Sequence, residues 1–452
     1  MQYKVFGCKT NKYFAEKWLV HPHLSEKKGY FIASCVVTDK AKAKWVKHAQ
    51  KKLPELKNGE KLYLSWCGNI RDGSVDPRFF EVYSELAQFQ NQIEILPEDP
   101  DDYMVTPEER KQIMQTKIRS LRKIAGKELF TRKYMVIQTG CDNFCTFCLT
   151  VQARGRHKWR PMEEIIEEIR TFVDGGGKEV VFTGINLGAW WSSTSNYFEE
   201  SQFVELVEAV LRETSLERLR ISSLGVEFVT DRLIQLFHNP RINAYVHLSI
   251  QSGSSNILKA MNRHYDGEQV RTVLWKIRNI ERPDGIILNI GADLIIGFPG
   301  ETDDDFLDTV DLVKDFQISQ LHAFPFSAHL DHYHVPAGSF PDQIPNHITQ
   351  NRLKHLMQIG KEVFKNFAES MQRKKVRVLI EKVHISNGDT LPTILPTHYP
   401  TNPQSHHFSG WSENYLFCNE ANIELFPDQE IARGKVVEGI FLWAIVQESE
   451  VI

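Results

Sequence analysis

Residues 133–160 read KYMVIQTGCDNFCTFCLTVQARGRHKWR, and the reading of three cysteines in that stretch, Cys141, Cys145 and Cys148, decides how the rest of the chain is understood. The apolar, β-favouring run 134–137 delivers the backbone into a Gly-containing loop that carries all three thiols within eight residues. Thiolates in such a cradle hold iron–sulfur clusters, and a cube of four irons takes four of them. Three leave one iron without a protein ligand, free to bind a small molecule through its own oxygen and nitrogen. A zinc site is the competing reading; it needs a fourth Cys or His, and His157 is near enough to supply one. A disulfide is disfavoured by three crowded thiols in a chain without a secretion signal.

The spacing C-x3-C-x2-C, with Phe147 before the last cysteine, resembles the signature of the radical S-adenosylmethionine (SAM) enzymes. Length and composition are compatible with that. A chain of 452 residues makes two to four domains, and 42% hydrophobic with 25% charged content is ordinary for a soluble globular protein. The start, MQYKVFGCKTNKYF, has no apolar signal core behind a basic head, and no run of eighteen apolar residues occurs, so the expectation is a cytoplasmic protein with no membrane contact. Cysteines there stay reduced and available to metal. A net charge of −4 gives no global signal for nucleic acid, which leaves local charge to carry that argument.

The first hundred residues repeat one unit. QYKVFGC, GYFIASC and KLYLSWC are β-like runs that end on Cys8, Cys35 and Cys67, and stretches of helical spacing separate them, with a fourth run at 92–96. β-α repetition implies a parallel sheet, whose strands present their carboxyl ends along one edge, where ligands bind. Any one of these cysteines read singly is a small hydrophobe. Three at the same register converge, which suggests a second cluster site with three protein ligands.

Between residues 110 and 133 nine Lys or Arg face one acid, Glu128, and Arg154, Arg156, His157, Lys158, Trp159 and Arg160 follow the cysteine loop. Phosphate contacts and aromatic stacking on an unpaired base would use such residues, while a solvated helix face is the bland alternative for 110–123. Arg154 is placed to pair with a SAM carboxylate through its guanidinium fork. β-like runs at 134–137, 179–183, 219–223, 245–250, 289–296 and 321–326, separated by helical patterns, predict a central, open six-stranded (β/α)6 partial TIM barrel. Its open side suits a bulky substrate. The chemistry of such barrels lies at strand ends, here polar or Gly-rich. His329, His332 and His334 with Asp331 are read as a surface loop in preference to a metal site. From residue 372 the pattern alternates between short runs, which predicts a small C-terminal antiparallel β-barrel of five strands, with Cys418 in its core.

FGCKTNKY, CVVTDKAKAK, ARGR, FTGINLG, HLSIQSGSSNILKAMNRHY, DLIIGFPGET and GWSENYL resemble, in order and over nearly the whole chain, segments of the radical SAM methylthiotransferase family. Gly-Cys-Lys-x-Asn at the start is more similar to the branch acting on N6-threonylcarbamoyladenosine in tRNA than to those acting on isopentenyladenosine or on a ribosomal protein aspartate. The resemblance implies an α/β protein with an N-terminal methylthiotransferase α/β domain (1–98), a basic linker (99–132), a radical SAM domain (133–371) and a TRAM-like β domain (372–452). It implies two 4Fe-4S clusters, one on Cys141, Cys145 and Cys148 and one on Cys8, Cys35 and Cys67, with SAM as cosubstrate. Gly184 and Asn186 would lie near the methionine part of SAM, Gln251 and Ser252 near its ribose, and Ile295 to Gly297 near its adenine. The expected reaction is radical methylthiolation of C2 of the modified adenine beside the anticodon, in a monomer served by an electron donor such as a flavodoxin or ferredoxin. The tail would orient substrate through Trp411, Asn414 and Tyr415, since its seven basic and ten acidic residues do not favour phosphate. SAHLDHYHVPAG departs from the family's Ser-x-Arg-x-Gly-Thr pattern, and Ser34 and Trp66 from its usual Thr and Gly. A zinc-dependent RNA-binding protein is the rival outside the family.

Overall fold

Why the chain opens with a parallel sheet is visible in how its apolar residues divide. The computed structural model describes residues 1–7, 9–35, 38–65, 70–71, 74–100, 131–192, 201–329, 334–385 and 406–442. Strands β1 (Gln2–Val5), β2 (Gly29–Ala33), β3 (Lys61–Ser65) and β4 (Ile93–Ile95) pair in that order, each pair parallel. Side chains alternate across a strand. Phe31, Ala33 and Tyr63 therefore pack with Ala15 and Trp18 of helix α1 (Lys9–Val20), while Ile32, Leu62 and Leu64 pack with Trp45 and Ala49 of α2 (Asp39–Lys52) on the other face. The Thr38 hydroxyl caps α2 by accepting from the Ala41 N–H at 3.1 Å, which satisfies one of its orphan donors.

The central sheet has the six expected strands: β5 (Lys133–Val136), β6 (Glu179–Thr183), β7 (Arg218–Ile221), β8 (Tyr245–Gln251), β9 (Asn289–Ile296) and β10 (Gln320–Pro325). They pair in parallel as β7-β6-β5 and β8-β9-β10, and isolated bridges, Leu219 to Ile242 and Leu224 to Leu248, join the halves. Met135, Val180, Phe182, Leu219, Leu248, Ile290 and Leu294 face outward into one core with helices α3 (Met162–Asp174), α4 (Phe203–Glu213), α5 (Gly267–Arg278) and α6 (Asp303–Asp315). On α3, Ile165, Ile166, Ile169 and Phe172 are buried, as their spacing requires. The alternate residues face inward, and they are largely polar: Glu179, Arg218, Arg220, His247, Asn289 and Asp293.

Two neighbours close on that inner face. From the first unit, Tyr13 and Phe14 of α1 pack on Tyr134, Val136 and Val181. The side of the barrel next to β5 is thus occupied by protein, where the sequence suggested room for substrate. From the tail, strands β11 (Lys375–Ile385), β12 (His406–Ser412), β13 (Phe417–Asn419), β14 (Ile423–Leu425) and β15 (Val436–Phe441) form an antiparallel sheet in the order β13-β12-β11-β15-β14. Cys418 lies fully buried in its core beside Phe367 of helix α7 (Asn346–Ser370).

The turn after β12 plugs the amino-terminal end of the barrel. Arg220 donates to the carbonyls of Ser412 (3.2 Å) and Glu413 (3.1 Å), Asn289 to that of Asn414 (2.9 Å) and Gln320 to that of Tyr415 (3.3 Å). The Arg220 guanidinium also lies 4.2 Å from the centre of the Tyr415 ring, which packs at 4.4 Å on Tyr245. Asn414 and Tyr415 are consequently spent on holding the tail to the barrel, at the end opposite the cysteine loop. This corrects the expectation that they orient substrate. Burial pulls the Tyr415 phenol up, but Lys9, Arg220 and Arg132 outweigh it and leave its pKa at about 8.

Candidate functional site

The cysteine loop leaves β5 at the carboxyl end of the barrel. Two backbone features shape it: Gly140 has φ +68°, and a Cβ there would meet the Arg156 carbonyl oxygen at 2.0 Å, so only glycine fits. Phe144 also takes a positive φ, 49°, and leaves its ring exposed between Cys141 and Cys145. The loop is tied down by two segments, 260–262 and the turn at Gly155. Thr146 donates from its N–H to the Met261 carbonyl (3.1 Å) and from its hydroxyl to the Ala260 carbonyl (2.9 Å). The Asn262 amide donates to the carbonyls of Asn143 (3.1 Å) and Phe144 (3.2 Å). Cys141 N–H donates to the Gly155 carbonyl at 3.2 Å.

Cys141 and Cys145 are buried and Cys148 is partly exposed. Polar hydrogens point at two of the sulfurs: Arg263 Nη1 lies 3.3 Å from Cys145 Sγ, and the Thr150 N–H 3.3 Å from Cys148 Sγ. Arg263 is itself fixed by Tyr265 Oη (2.9 Å) and the Ser249 carbonyl (3.2 Å). Burial pushes the Cys145 thiol up, and Arg263 pulls it back toward the thiolate without cancelling the rise. Three thiols on one rigid loop, N–H donors aimed at sulfur and a buried guanidinium to balance negative charge are a donor set that fits a thiolate-held cluster.

Gln138 was not singled out from sequence, yet it organises the floor beside the loop. Its amide donates to the carbonyl of Gly140 (2.6 Å), while its Oε1 accepts from the N–H groups of Ile185 (3.0 Å) and Asn186 (2.8 Å). A Cβ on Gly184 would lie 3.0 Å from the Gln138 carbonyl oxygen. Asn186 in turn donates to Asn143 Oδ1 at 3.2 Å, so Gly184 and Asn186 are brought to the cysteine loop through a chain of amides. The signal for Gln138 was its strand position: it follows the apolar run and faces inward.

Gln251 and Ser252 are also at the carboxyl edge. Gln251 has φ +74° where β8 slips register against β9, and Ser252 is buried against the Thr309 hydroxyl at 3.4 Å. Ile295 is partly buried near the end of β9, and Gly297 turns with φ +74° while its N–H donates to Glu301 Oε2 at 2.9 Å. The positions named from the sequence thus share one edge of the barrel. Arg154 differs: it is buried, and its guanidinium is bonded to the Glu98 carboxylate of the first unit, an internal partner where the sequence suggested an external one. Arg160 is likewise internal, bonded to Glu168 at 2.8 Å and Tyr13 at 3.0 Å. Arg156, Lys158 and Trp159 are exposed, with Trp159 stacked at 4.0 Å on Trp191.

At the edge of the first sheet, Asn11 donates to the carbonyls of Phe6 (2.5 Å) and Ser34 (2.8 Å), and Ser34 donates to the Ser65 carbonyl (3.1 Å), which aligns the ends of β1, β2 and β3. Cys35 is buried there, directly against Gly7. It shares a core with Leu149, the residue after Cys148. Cys8, Cys67, the linker residues 101–130, Asp331 and His332 lie outside the described residues; His329 is buried and His334 exposed.

Comparison with known proteins agrees with this geometry. A family model described as the radical SAM superfamily matches residues 135–313, the barrel from β5 to α6. Enzymes of that superfamily work with SAM and a 4Fe-4S cluster. The threonylcarbamoyladenosine tRNA methylthiotransferase MtaB of Thermotoga maritima is 31% identical over 84% of this chain and 86% of its own length. Its namesake from Rickettsia prowazekii is 30% identical over 85% of this chain and 88% of its own length. The tRNA-2-methylthio-N(6)-dimethylallyladenosine synthase of Agrobacterium fabrum is 36% identical over 55% of this chain and 53% of its own length. The chain belongs to the radical SAM methylthiotransferase family. Among the described residues no helix is long and apolar enough to cross a membrane.

Proposed function

We propose that this enzyme methylthiolates C2 of N6-threonylcarbamoyladenosine in tRNA, using two 4Fe-4S clusters. Cys141, Cys145 and Cys148 would hold the cluster that binds SAM, and Cys8, Cys35 and Cys67 the second. The observation that carries this is Leu149: the residue after Cys148 packs in the same core as Cys35, so the two cysteine-bearing edges adjoin. With SAM bound, the first cluster would supply one-electron cleavage chemistry, which side-chain acids and bases cannot replace at an unactivated C–H bond. The chain's own residues do the rest. Gln138, Asn143 and Asn186 hold the backbone around the SAM site, with Gly184, Gln251, Ser252, Ile295 and Gly297 along its rim. Arg154 joins the barrel to the first unit through Glu98 and takes a positioning role.

The substrate assignment rests on the names of the relatives that share most of their length with this chain and on the GCKTN start. On this reading the two cysteine sets act in sequence, which gives the test. Cys35→Ala is expected to retain SAM cleavage and yield no methylthio product, whereas Cys145→Ala loses both. Mass spectrometry of tRNA nucleosides from cells lacking the gene should show loss of the methylthio form of threonylcarbamoyladenosine. Loss of the dimethylallyl counterpart instead would assign the other tRNA branch, and product from Cys35→Ala at the parental rate would end the two-cluster reading.

A further inference from the structure

Deeper inside the barrel the inner face carries a second set of metal-ligating side chains, unconnected with the cysteines. His247 on β8, Asp293 on β9 and His322 on β10 stand on three adjacent parallel strands, and one ligand atom from each lies within 4.8 Å of the others. His247 Nε2 is 3.0 Å and His322 Nδ1 3.3 Å from the same oxygen of Asp293. Strand register fixes the arrangement. Asp293 pairs directly with His322, and His247 pairs with Gly291, where a Cβ would come within 2.0 Å of the Tyr245 hydroxyl and 2.7 Å of His247 Nδ1. The glycine makes room for Tyr245, whose hydroxyl lies 2.6 Å from Nδ1 and orients the ring.

The charge of Asp293 has no fixed counterpart. Its partners are the two imidazoles and the Ser249 hydroxyl at 3.4 Å; no guanidinium or ammonium pairs with it among the described residues. A carboxylate inside a protein is costly unless compensated. His247 is only 2% exposed, and its Nε2 is turned toward the Asp293 carboxylate. Two imidazoles and one carboxylate are the facial set used by divalent first-row metals that keep open positions. Bonds of about 2.1 Å meeting at right angles span roughly 3 Å between ligand atoms, as both measured pairs do within 0.3 Å. The outer bond from Tyr245 is the support that a metal-bound histidine ordinarily has.

We propose that His247, Asp293 and His322 form a site for a divalent transition-metal cation, open to the barrel interior on the His322 side. His322 is the most exposed of the three, at 42% of its side chain, and marks the way in. Asp293 lies two residues before Ile295 on the same face, about 7 Å below the rim where SAM is proposed to bind. The site therefore faces the reaction space without sharing a ligand with either cysteine set.

The test uses zinc as the probe. Cluster-loaded protein is incubated with equimolar Zn²⁺ in the absence of oxygen, passed over a desalting column, and its iron and zinc are counted by mass spectrometry. Wild type should keep about one zinc per chain, and His322→Ala and Asp293→Asn less than roughly a tenth of that, with iron unchanged in all three. Since Asp293→Asn is liable to disturb folding, His322→Ala, at the exposed position, decides the matter. Wild type that keeps no zinc, or His322→Ala that keeps as much as wild type, overturns the proposal.

Discussion

Glu179→Gln removes one charge from the floor of the barrel and keeps the side chain's size. The Glu179 carboxylate is fully buried and accepts from Arg218 Nε (2.7 Å), Arg220 Nε (3.1 Å) and Asn243 Nδ2 (3.1 Å), with Arg132 Nε at 3.5 Å. Burial alone would raise its pKa, but Arg220, Arg218 and Arg132 more than offset that and hold it well below the usual carboxylate range. In the amide, one acceptor oxygen becomes an N–H₂ that faces a guanidinium N–H, and the arginines lose their central counter-ion. Breaking a buried pair from one side costs about 3–5 kcal/mol. At a urea slope of about 3 kcal/mol/M, the unfolding midpoint falls by roughly 1–1.7 M. Because Arg220 also holds the carbonyls of Ser412 and Glu413, proteolysis near that turn should begin at lower urea in the variant. Arg232→Ala, which breaks an exposed contact with Glu205 and Glu208 in the same barrel, is the control and should leave the midpoint unmoved. If Glu179→Gln behaves like that control, the floor network does not hold the tail to the barrel.

Gly140→Ala is expected to cut iron incorporation below half of wild type on anaerobic reconstitution, because the Arg156 carbonyl cannot retreat from a Cβ; full iron loading refutes the strained-loop account. Arg263→Gln withdraws a cation from Cys145 Sγ and so favours the more oxidised state of the proposed cluster. Its midpoint potential in an electron paramagnetic resonance titration should fall by roughly 60 mV, the equivalent of about 1.4 kcal/mol for one electron, and an upward shift would contradict the assignment. For pH, Glu168 is decisive: burial raises its pKa, but Arg160 and Lys133 dominate and hold the carboxyl at about 2. A depressed carboxylate contributes stability above its unfolded pKa of about 4.3 and loses it as pH falls toward the folded value. Thermal stability should therefore decline between roughly pH 4.5 and 2, and less steeply in Glu168→Gln.

Strand positions were readable as short β-favouring runs between helical patterns, and all six barrel strands overlap the runs read from the sequence. The inner face was harder. Arg218 and Arg220, two apart on one strand, look like surface charge in a sequence, and nothing local says that Glu179, the first residue of the preceding strand, lies between them. The cysteine triplet declared itself by spacing, whereas Gln138, Asn143 and Arg263 act through contacts with segments 48, 84 and 118 residues away, which no local pattern encodes. The same limit explains Arg154. Proximity to the cysteines was legible, but its partner, Glu98, comes from the first unit across a junction that only tertiary packing defines.

That junction also divides the basic run 154–160 by task. Arg154 and Arg160 face inward and tie the barrel to Glu98 and Tyr13 of the first unit, Arg160 through a guanidinium also held by Glu168 of α3, so reversing either charge should unfold the junction and leave RNA affinity uninterpretable. Arg156 and Lys158 lie between them in the chain and point to solvent, next to the exposed rings of Phe144 and Trp159. If tRNA is the substrate, this face offers both phosphate-binding cations and rings for an unstacked base at the mouth of the cysteine loop. Lys158→Glu should accordingly keep SAM cleavage and the iron content of wild type, weaken tRNA binding, and lower the slope of log affinity against log salt by roughly 1. Trp159→Ala should weaken binding with the slope unchanged, since stacking releases no counter-ion. An unaltered slope in Lys158→Glu would move the RNA-binding surface elsewhere, because a cation in contact with phosphate cannot be removed without changing the number of ions released.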